Sequence, residues 1–208
     1  MKRPAFWILL VVLAIAATVV GIRYFPQAFS IVALDIAMDR ERALADARAL
    51  MDRERLGPDG YRQAASFGLD DETQTFVELE GGGKDTFTAM LRNRLYSAYT
   101  WRVRQFKEGE VRETTIRFTP DGKPYGFVER LKEDAAGAAL PSDDARRIAE
   151  DNATSKWQVD LRPFSLVERG QERRPGGRVD HTFTYERATP TLNEGRYRLR
   201  LVVSGDRL

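Results

Sequence analysis

The sequence predicts an α+β protein in which one N-terminal transmembrane helix precedes two consecutive units, each a helix packed on an antiparallel three-stranded meander. An uncharged apolar run opens the chain, and two later segments each combine a helical apolar stripe with alternating strands and turn residues. A helix and a sheet that each expose one apolar face bury those faces against one another, so two-layer units are expected. The predicted divisions are a cytoplasmic tip and anchor (1–23), a first unit (24–133), a linker (134–141) and a second unit (142–208).

The N-terminal run carries no charge from Pro4 to Ile22 and is almost wholly apolar from Phe6 to Val20. About 19 residues at a rise of 1.5 Å per residue nearly cross a hydrocarbon layer of roughly 30 Å. Because lipid offers no hydrogen bonds to the backbone, a helix is the expected form. The protein is therefore predicted to contact the membrane through residues 4–22.

The flanking charges predict the orientation of this helix. Lys2 and Arg3 precede it and Arg23 alone follows it, so the positive-inside bias places the N-terminus in the cytoplasm. The protein is then a single-pass protein of the cell membrane with its folded domain outside the cytoplasm. The segment Ala14–Ala16 also resembles a signal-peptide cleavage site, which leaves a cleaved export signal as the alternative.

The first unit is predicted to begin with a strand over Ile31–Met38, whose apolar residues fall on both faces. Asp39 is placed to cap a helix with a single apolar stripe, and Gly57–Gly60 ends that helix. A short strand and two helices are predicted next, over Tyr61–Phe67, Asp70–Glu80 and Asp85–Leu95.

A three-stranded meander closes the first unit. Apolar residues alternate with polar ones over Tyr99–Val103 and again over Val111–Phe118. Thr119–Gly122 predicts a turn, because its proline presets φ and its glycine accepts a positive φ. Tyr125–Leu131 supplies the third strand.

The second unit follows a linker rich in Ala and Gly. Ser142–Asp144 is predicted to cap a helix that runs towards Trp157. Strands are expected over 164–168, 179–186 and 196–203, with polar loops over 171–177 and 189–195. One helix and three strands thus occur after Lys84 and again after Ser142, an order that resembles the small α/β units of PepSY-type and cystatin-like domains.

Composition excludes several classes of function. Lys2 and Arg3 account for the formal charge of +2, since removing them from the 33 basic residues leaves 31, equal to the 31 acidic residues. A nucleic-acid partner is not expected, because such binding needs a net basic surface. The absence of cysteine excludes disulfides and thiol nucleophiles, and no spacing of carboxylates predicts a metal or cofactor site.

Aromatic residues of the first meander are candidates for an apolar groove that takes peptide or lipid, although the same residues equally form its buried face. These candidates are Tyr99, Trp101, Phe118, Tyr125 and Phe127, with His181 as a further candidate. Strand alternation places His181, the sole histidine, on the opposite face from Asp180, which predicts a structural role and no catalytic residue. The Arg-rich segment Glu172–Arg178 is a candidate for contact with anionic headgroups, and its acidic neighbours favour a solvated loop.

Five strings of the sequence carry a family resemblance: MDRERALADARAL (38–50), YTWRVRQF (99–106), FTPDGKPYGF (118–127), GRVDHTFTYER (177–187) and RLRLVVSGDR (198–207). Together they resemble the extracytoplasmic N-terminal region of bacterial CPBP-type (CAAX-protease-like) intramembrane metalloproteases. The resemblance covers most of residues 22–207. It implies that catalysis belongs to a polytopic membrane domain with paired-glutamate and histidine motifs, which this sequence lacks. It further implies that the chain is the front part of such a protein or a descendant without the protease.

The predicted function is therefore a membrane-anchored extracytoplasmic regulatory or binding region, itself non-catalytic, that acts with an intramembrane CPBP-type protease. Two alternatives remain open: a hydrolase with a dispersed His/carboxylate site, and a structural module that binds a partner protein at a sheet edge or groove. The sequence specifies neither a ligand nor an oligomeric state.

Overall fold

The computed structural model describes residues 4–28 and 34–208. Within these ranges the helices are α1 (Pro4–Ala28), α2 (Arg40–Glu54), α3 (Asp71–Leu79), α4 (Gly83–Arg92) and α5 (Ser142–Ser155). The strands are β1 (Arg62–Leu69), β2 (Tyr99–Phe106), β3 (Glu113–Phe118), β4 (Pro124–Arg130), β5 (Phe164–Arg173), β6 (Val179–Leu192) and β7 (Gly195–Ser204). They form two antiparallel sheets, in the orders β1-β2-β3-β4 and β5-β6-β7, which confirms the α+β class.

Helix α1 is apolar over 22 residues, Pro4–Phe25, and is long enough to cross a membrane. No part of its most apolar stretch is buried against the rest of the described chain. Its large side chains are exposed, including Ile8 at 65% and Leu13 at 61%. A helix whose most apolar stretch is unburied is not the core helix of a globule, so this finding distinguishes α1 from the helices of the folded domain.

Helix α2 begins as its sequence predicts. The Asp39 carboxylate accepts a hydrogen bond of 2.8 Å from the backbone N–H of Arg42, which satisfies one of the free donors of the first turn. Its apolar stripe packs on the first sheet, and the shared core consists of Met38, Ala43, Ala47, Leu50, Val103, Ile116 and Phe118. The helix therefore covers one face of that sheet.

The predicted three-stranded meander forms as β2-β3-β4, and the strand predicted over Tyr61–Phe67 forms as β1, which adds a fourth strand at the free edge of β2. β1 pairs antiparallel with β2, and the chain between them forms the helical hairpin of α3 and α4. Gly82 and Gly83 turn the chain between these helices at φ of 114° and 89°, conformations that glycine adopts at little cost. As a result α2 covers the sheet, and α3 and α4 build a separate apolar cluster around Val77, Phe87 and Met90.

The strand predicted over Ile31–Met38 is not formed in its described part. Residues 34–39 have no regular secondary structure, and residues 31–33 lie outside the described chain. Leu34 packs in one apolar cluster and Met38 in another, while the Met38 N–H donates to the Pro120 carbonyl at 3.0 Å. Apolar alternation here reflects burial of an irregular segment rather than pairing in a sheet.

The second sheet carries α5 on one face. Ala145, Ala149 and Ala153 pack closely on β6 and β7, against Phe183, Tyr185, Leu201 and Val203. The cap differs from the prediction: Pro141 is the N-cap without a side-chain bond, and Ser142 is the first helical residue. β5 and β6 extend to Arg173 and Leu192, so residues 171–173 of the loop predicted over 171–177 and most of the loop predicted over 189–195 are strand, whereas 174–177 form a loop as predicted. The extended ends of these strands consist of exposed polar residues that pair through backbone hydrogen bonds. No apolar alternation in the sequence therefore marks them as strand.

Residues 134–141, predicted as a linker, have no regular secondary structure and lie along β6. The Arg178 guanidinium donates to the carbonyls of Lys132 at 3.3 Å and Ala135 at 2.9 Å, and the Val179 N–H donates to the Ala138 carbonyl at 3.1 Å. These bonds fix the segment to the sheet.

Side chains also join the two sheets and their helices. The rings of Phe127 and Trp157 stack with centroids 4.5 Å apart, and Lys156 Nζ lies 3.2 Å from Glu54. Arg207 donates to the carbonyls of Glu54 and Arg55 at the end of α2. The folded domain is therefore linked across its two units at several points.

Candidate functional site

The six residues of the predicted groove occupy separate environments. Phe118 and Tyr99 are 1% and 7% exposed and belong to two different apolar clusters of the first sheet. Trp101 is half-buried, and its indole N–H donates to the Met38 carbonyl at 2.9 Å. Phe127 stacks on Trp157, whereas His181 lies in the second sheet. The structure thus brings four of the aromatic residues into the cores of the first sheet, places Tyr125 against the ring of Tyr96, and leaves His181 apart from them.

His181 is buried in β6, with 1% of its surface exposed. Its Nε2 lies 2.9 Å from the Leu140 carbonyl; because a carbonyl only accepts, Nε2 carries the hydrogen. The ring stacks on Phe183, and Nδ1 is buried without a partner among the described residues. The arrangement secures the segment before α5 to the sheet.

The cations of the Arg-rich segment are used within the protein. Arg178 and Arg174 hold the Asp180 carboxylate at 2.8 Å and 2.7 Å, and Arg178 itself is only 4% exposed. Burial acts to raise the pKa of Asp180, but hydrogen bonds from the two guanidinium groups outweigh it and hold that pKa below its ordinary value. Arg174 and Arg178 are therefore engaged within the protein. This leaves fewer free positive charges for the predicted contact with headgroups than the composition of the segment indicates.

An open hollow of about 430 Å³ lies beside α5, over β5 and β6, and Arg146, Glu150 and Tyr185 are among the residues that line it. The Tyr185 hydroxyl and Arg146 Nε both donate to Glu150 Oε1 at 2.7 Å. Burial and the bond to Glu150 raise the pKa of Tyr185 to about 12. Burial opposes ionisation of Glu150, but the two donors hold its pKa below the ordinary value. A carboxylate held ionised in this way is a weak base, so the hollow offers hydrogen bonding rather than proton transfer.

A second polar cluster joins α3 to both sheets. The Tyr96 hydroxyl donates to Asp70 at 2.5 Å, and the Thr73 N–H donates to the other oxygen of that carboxylate at 3.2 Å. The Tyr96 ring meets those of Tyr125 and Tyr197 edge-on, at centroid distances of 6.4 Å and 6.3 Å.

Ionisation is unfavourable for the tyrosines of this cluster. Burial and the neighbouring carboxylate raise the pKa of Tyr96 to about 12, and burial also raises the pKa of Tyr125. The hydroxyls stay protonated and act as hydrogen-bond donors. The sequence places Asp70 at the start of a predicted helix but does not predict the cluster, because its members come from distant segments.

Among residues 4–28 and 34–208, no group of three or more His, Asp or Glu side chains converges to hold a metal ion. No protein-family model, curated protein or solved structure matches the chain significantly. The structure therefore defines the class by architecture: an α+β protein with two antiparallel sheets and one N-terminal helix long and apolar enough to span a membrane.

Proposed function

We propose that this protein is a single-pass, membrane-anchored extracytoplasmic binding or regulatory module that acts with an intramembrane protease of the CPBP type. The observation that carries the proposal is α1: a 22-residue apolar helix with none of its most apolar stretch buried. Leaving this many apolar side chains in water costs roughly 25 cal/mol per Å², which favours their transfer to lipid. The orientation, with the N-terminus in the cytoplasm, rests on Lys2 and Arg3 before the helix.

Two further observations support the regulatory role. The five strings that resemble the extracytoplasmic region of CPBP-type proteases fall on α2, β2, the β3–β4 hairpin, β6 and β7, which are the elements that build the domain. The order α5-β5-β6-β7 also supports the likeness to PepSY-type and cystatin-like units. The protease chemistry would reside in another membrane domain, and this chain would supply recognition.

A crosslinking experiment in native membranes tests the partner. A photoreactive amino acid replaces Leu10, which is exposed on α1, and the matched control carries it at Val111, exposed at a domain loop. We expect the α1 probe to capture a polytopic membrane protein that carries paired glutamates and histidines, and deletion of the domain to change cleavage by that protein. Capture of lipid alone by the α1 probe, with cleavage unchanged by the deletion, would contradict the proposed association.

Substrate turnover tests the hydrolase alternative. The purified full chain is incubated with peptide and ester panels, alongside variants Glu150→Gln and His181→Ala and the surface control Glu172→Gln. We expect no turnover above the rate measured in buffer without protein. Robust turnover that is lost in Glu150→Gln or His181→Ala and kept in the control, with all variants folded, would establish an enzyme instead.

A further inference from the structure

The face of the four-stranded sheet that lies opposite to α2 concentrates positive charge. Alternate residues of a strand share a face, and the strand register places five arginines on the side opposite to α2. We call this surface the basic face; it comprises Arg62, Arg102, Arg104, Arg117 and Arg130. Four of the five are exposed, and Arg102 is partly buried.

Little on this face neutralises the arginines. Glu113 is the acidic residue within the face; it pairs with Arg104 at 2.5 Å and with Arg130 at 3.1 Å. Asp70, which directly follows β1, lies close enough to Arg102 for that positive charge to help lower the pKa of Asp70. With Glu113 and Asp70 counted against the five arginines, the basic face carries a net charge of about +3.

The register itself places like charges together. Arg102 lies directly opposite Arg117 on the neighbouring strand, and like charges in that position destabilise a sheet. Arg102 Nε is also buried without a hydrogen-bond partner among the described residues. Ala64, Ser66 and Gly126 lie in the same rows, so the residues beside Arg104, Arg102 and Arg117 have small side chains. An anion from outside the chain would relieve both the repulsion and the missing bond.

The outer face of the second sheet provides an internal comparison. There Arg196 and Arg198 both pair with Glu186, at 3.5 Å and 3.2 Å, and Glu168 and Asp180 add further acidic groups. An exposed sheet face in this protein is therefore not basic by default. The excess of positive charge is specific to the basic face of the first sheet.

We propose that the basic face docks on anionic phospholipid headgroups of the bilayer that α1 crosses; this inference rests on the proposed membrane anchor. Ten Cα-to-Cα steps separate Ala28 from Met38 and span at most about 36 Å, so the domain remains at the bilayer surface. Charges are screened beyond roughly 10 Å, so docking requires the face to lie on the headgroups. Guanidinium groups suit phosphates because they form paired, charge-assisted hydrogen bonds with them.

The experiment uses the full chain in nanodiscs of phosphatidylcholine alone or mixed with phosphatidylglycerol. The chain has no native cysteine, so Thr115→Cys places one fluorophore at the centre of the basic face. Val202→Cys places the matched probe on the outer face of the second sheet. A quencher on the lipid headgroup reports the proximity of each probe.

We expect quenching at position 115 to exceed that at position 202 in anionic nanodiscs, and to fall in phosphatidylcholine or high salt. Arg62→Gln with Arg117→Gln should weaken docking roughly fivefold for each arginine removed. The matched pair Arg92→Gln and Arg173→Gln removes two exposed arginines elsewhere and should leave quenching unchanged.

Three outcomes would overturn the inference. A chain that does not co-purify with nanodiscs contradicts the anchor and the docking together. A chain that inserts but shows equal quenching at both positions in anionic lipid contradicts the docking alone. Quenching at position 115 that is displaced by an acidic polypeptide and insensitive to lipid charge assigns the face to a protein partner instead.

Discussion

Single residues hold the buried polar groups of this domain in fixed ionisation states. Asp70 caps α3 and at the same time accepts the Tyr96 hydroxyl, so one carboxylate joins a helix end to the segment before β2. Burial acts to raise the pKa of Asp70, but the bonds from Tyr96 and Thr73 lower it further than burial raises it. The ionised form is thereby favoured by the folded state.

Replacing Tyr96 with Phe tests this bond. We expect Tyr96→Phe to lower the free energy of unfolding by about 1–2 kcal/mol, because a charge-assisted bond is lost and the carboxylate stays half-buried. The matched control is Tyr61→Phe, whose hydroxyl has no hydrogen bond within the described chain. Chemical denaturation at neutral pH measures both variants; equal stability of the two would contradict the assignment.

The pH dependence of stability follows from the same carboxylate. A lowered pKa in the folded state gives a contribution that is present above the ordinary value of about 3.9 and is lost as pH falls through the folded value. We therefore expect the free energy of unfolding to decrease as pH falls below about 5, and to decrease less steeply in Tyr96→Phe. Denaturation curves between about pH 6 and pH 2 measure this slope. Parallel curves for the two proteins would show that Asp70 does not depend on Tyr96.

At the scale of elements, capping and turn residues made several boundaries predictable. Asp39 and Asp70 start α2 and α3 where the sequence places them, and Thr119–Gly122 closes the β3–β4 hairpin. Local chemistry determines these features, so nearby residues suffice. The segment before Asp39 and the pairing of β1 with β2 depend on contacts between distant residues, which a single sequence does not specify.

The basic face is a candidate site that a single sequence likewise does not specify. The balance of 31 acidic and 31 basic residues outside the N-terminus gave no sign of it, because composition averages over both sheets. Arg102 and Arg104 alternate visibly within β2, yet only the register brings Arg62, Arg117 and Arg130 onto the same side. The Arg-rich loop, conspicuous in sequence, has two of its cations bound to Asp180.

Arg178 connects an irregular element to a regular one, and its removal has a predictable effect. Arg178→Ala should release residues 132–140 from β6 and cost about 3 kcal/mol, because Asp180 and two carbonyls lose a buried donor. Hydrogen exchange should accelerate at the N–H groups of Val179 and the adjoining segment. Arg173→Ala, at an exposed neighbouring position, is the control and should change neither quantity. Unaltered exchange in Arg178→Ala would mean that other contacts hold the segment.

At the scale of the whole molecule, the two sheets are expected to unfold together. The Phe127–Trp157 stack, the Lys156–Glu54 ion pair and the edge-on contact of the Tyr96 and Tyr197 rings all connect the first unit to the second. Such cross-links couple neighbouring units into one cooperative transition.

A double-mutant cycle on Phe127 and Trp157 measures this coupling. With Phe127→Leu and Trp157→Leu, we expect an interaction free energy of about 0.5–1.5 kcal/mol, the range for stacked aromatic pairs. The control cycle pairs Phe127→Leu with Phe106→Leu on the opposite face of the sheet and should be additive. Additive effects in the Phe127–Trp157 cycle, together with two separate thermal transitions, would show that the units fold independently.

The proposed function and the docking of the basic face both depend on α1 being anchored in a membrane. One labelling experiment tests this anchoring directly. A single cysteine at Val167, exposed on β5, is treated in intact cells with a maleimide that cannot cross membranes, and the cells are then fractionated with an alkaline wash. We predict that the full-length chain is found in the washed membranes and is labelled before lysis. When Val12 and Leu13 are both changed to Lys, we expect the chain to be lost from the membrane fraction, because each charge costs about 2.5–3.5 kcal/mol at the helix centre. Full-length chain that is recovered as soluble protein and labelled only after lysis would contradict the anchor.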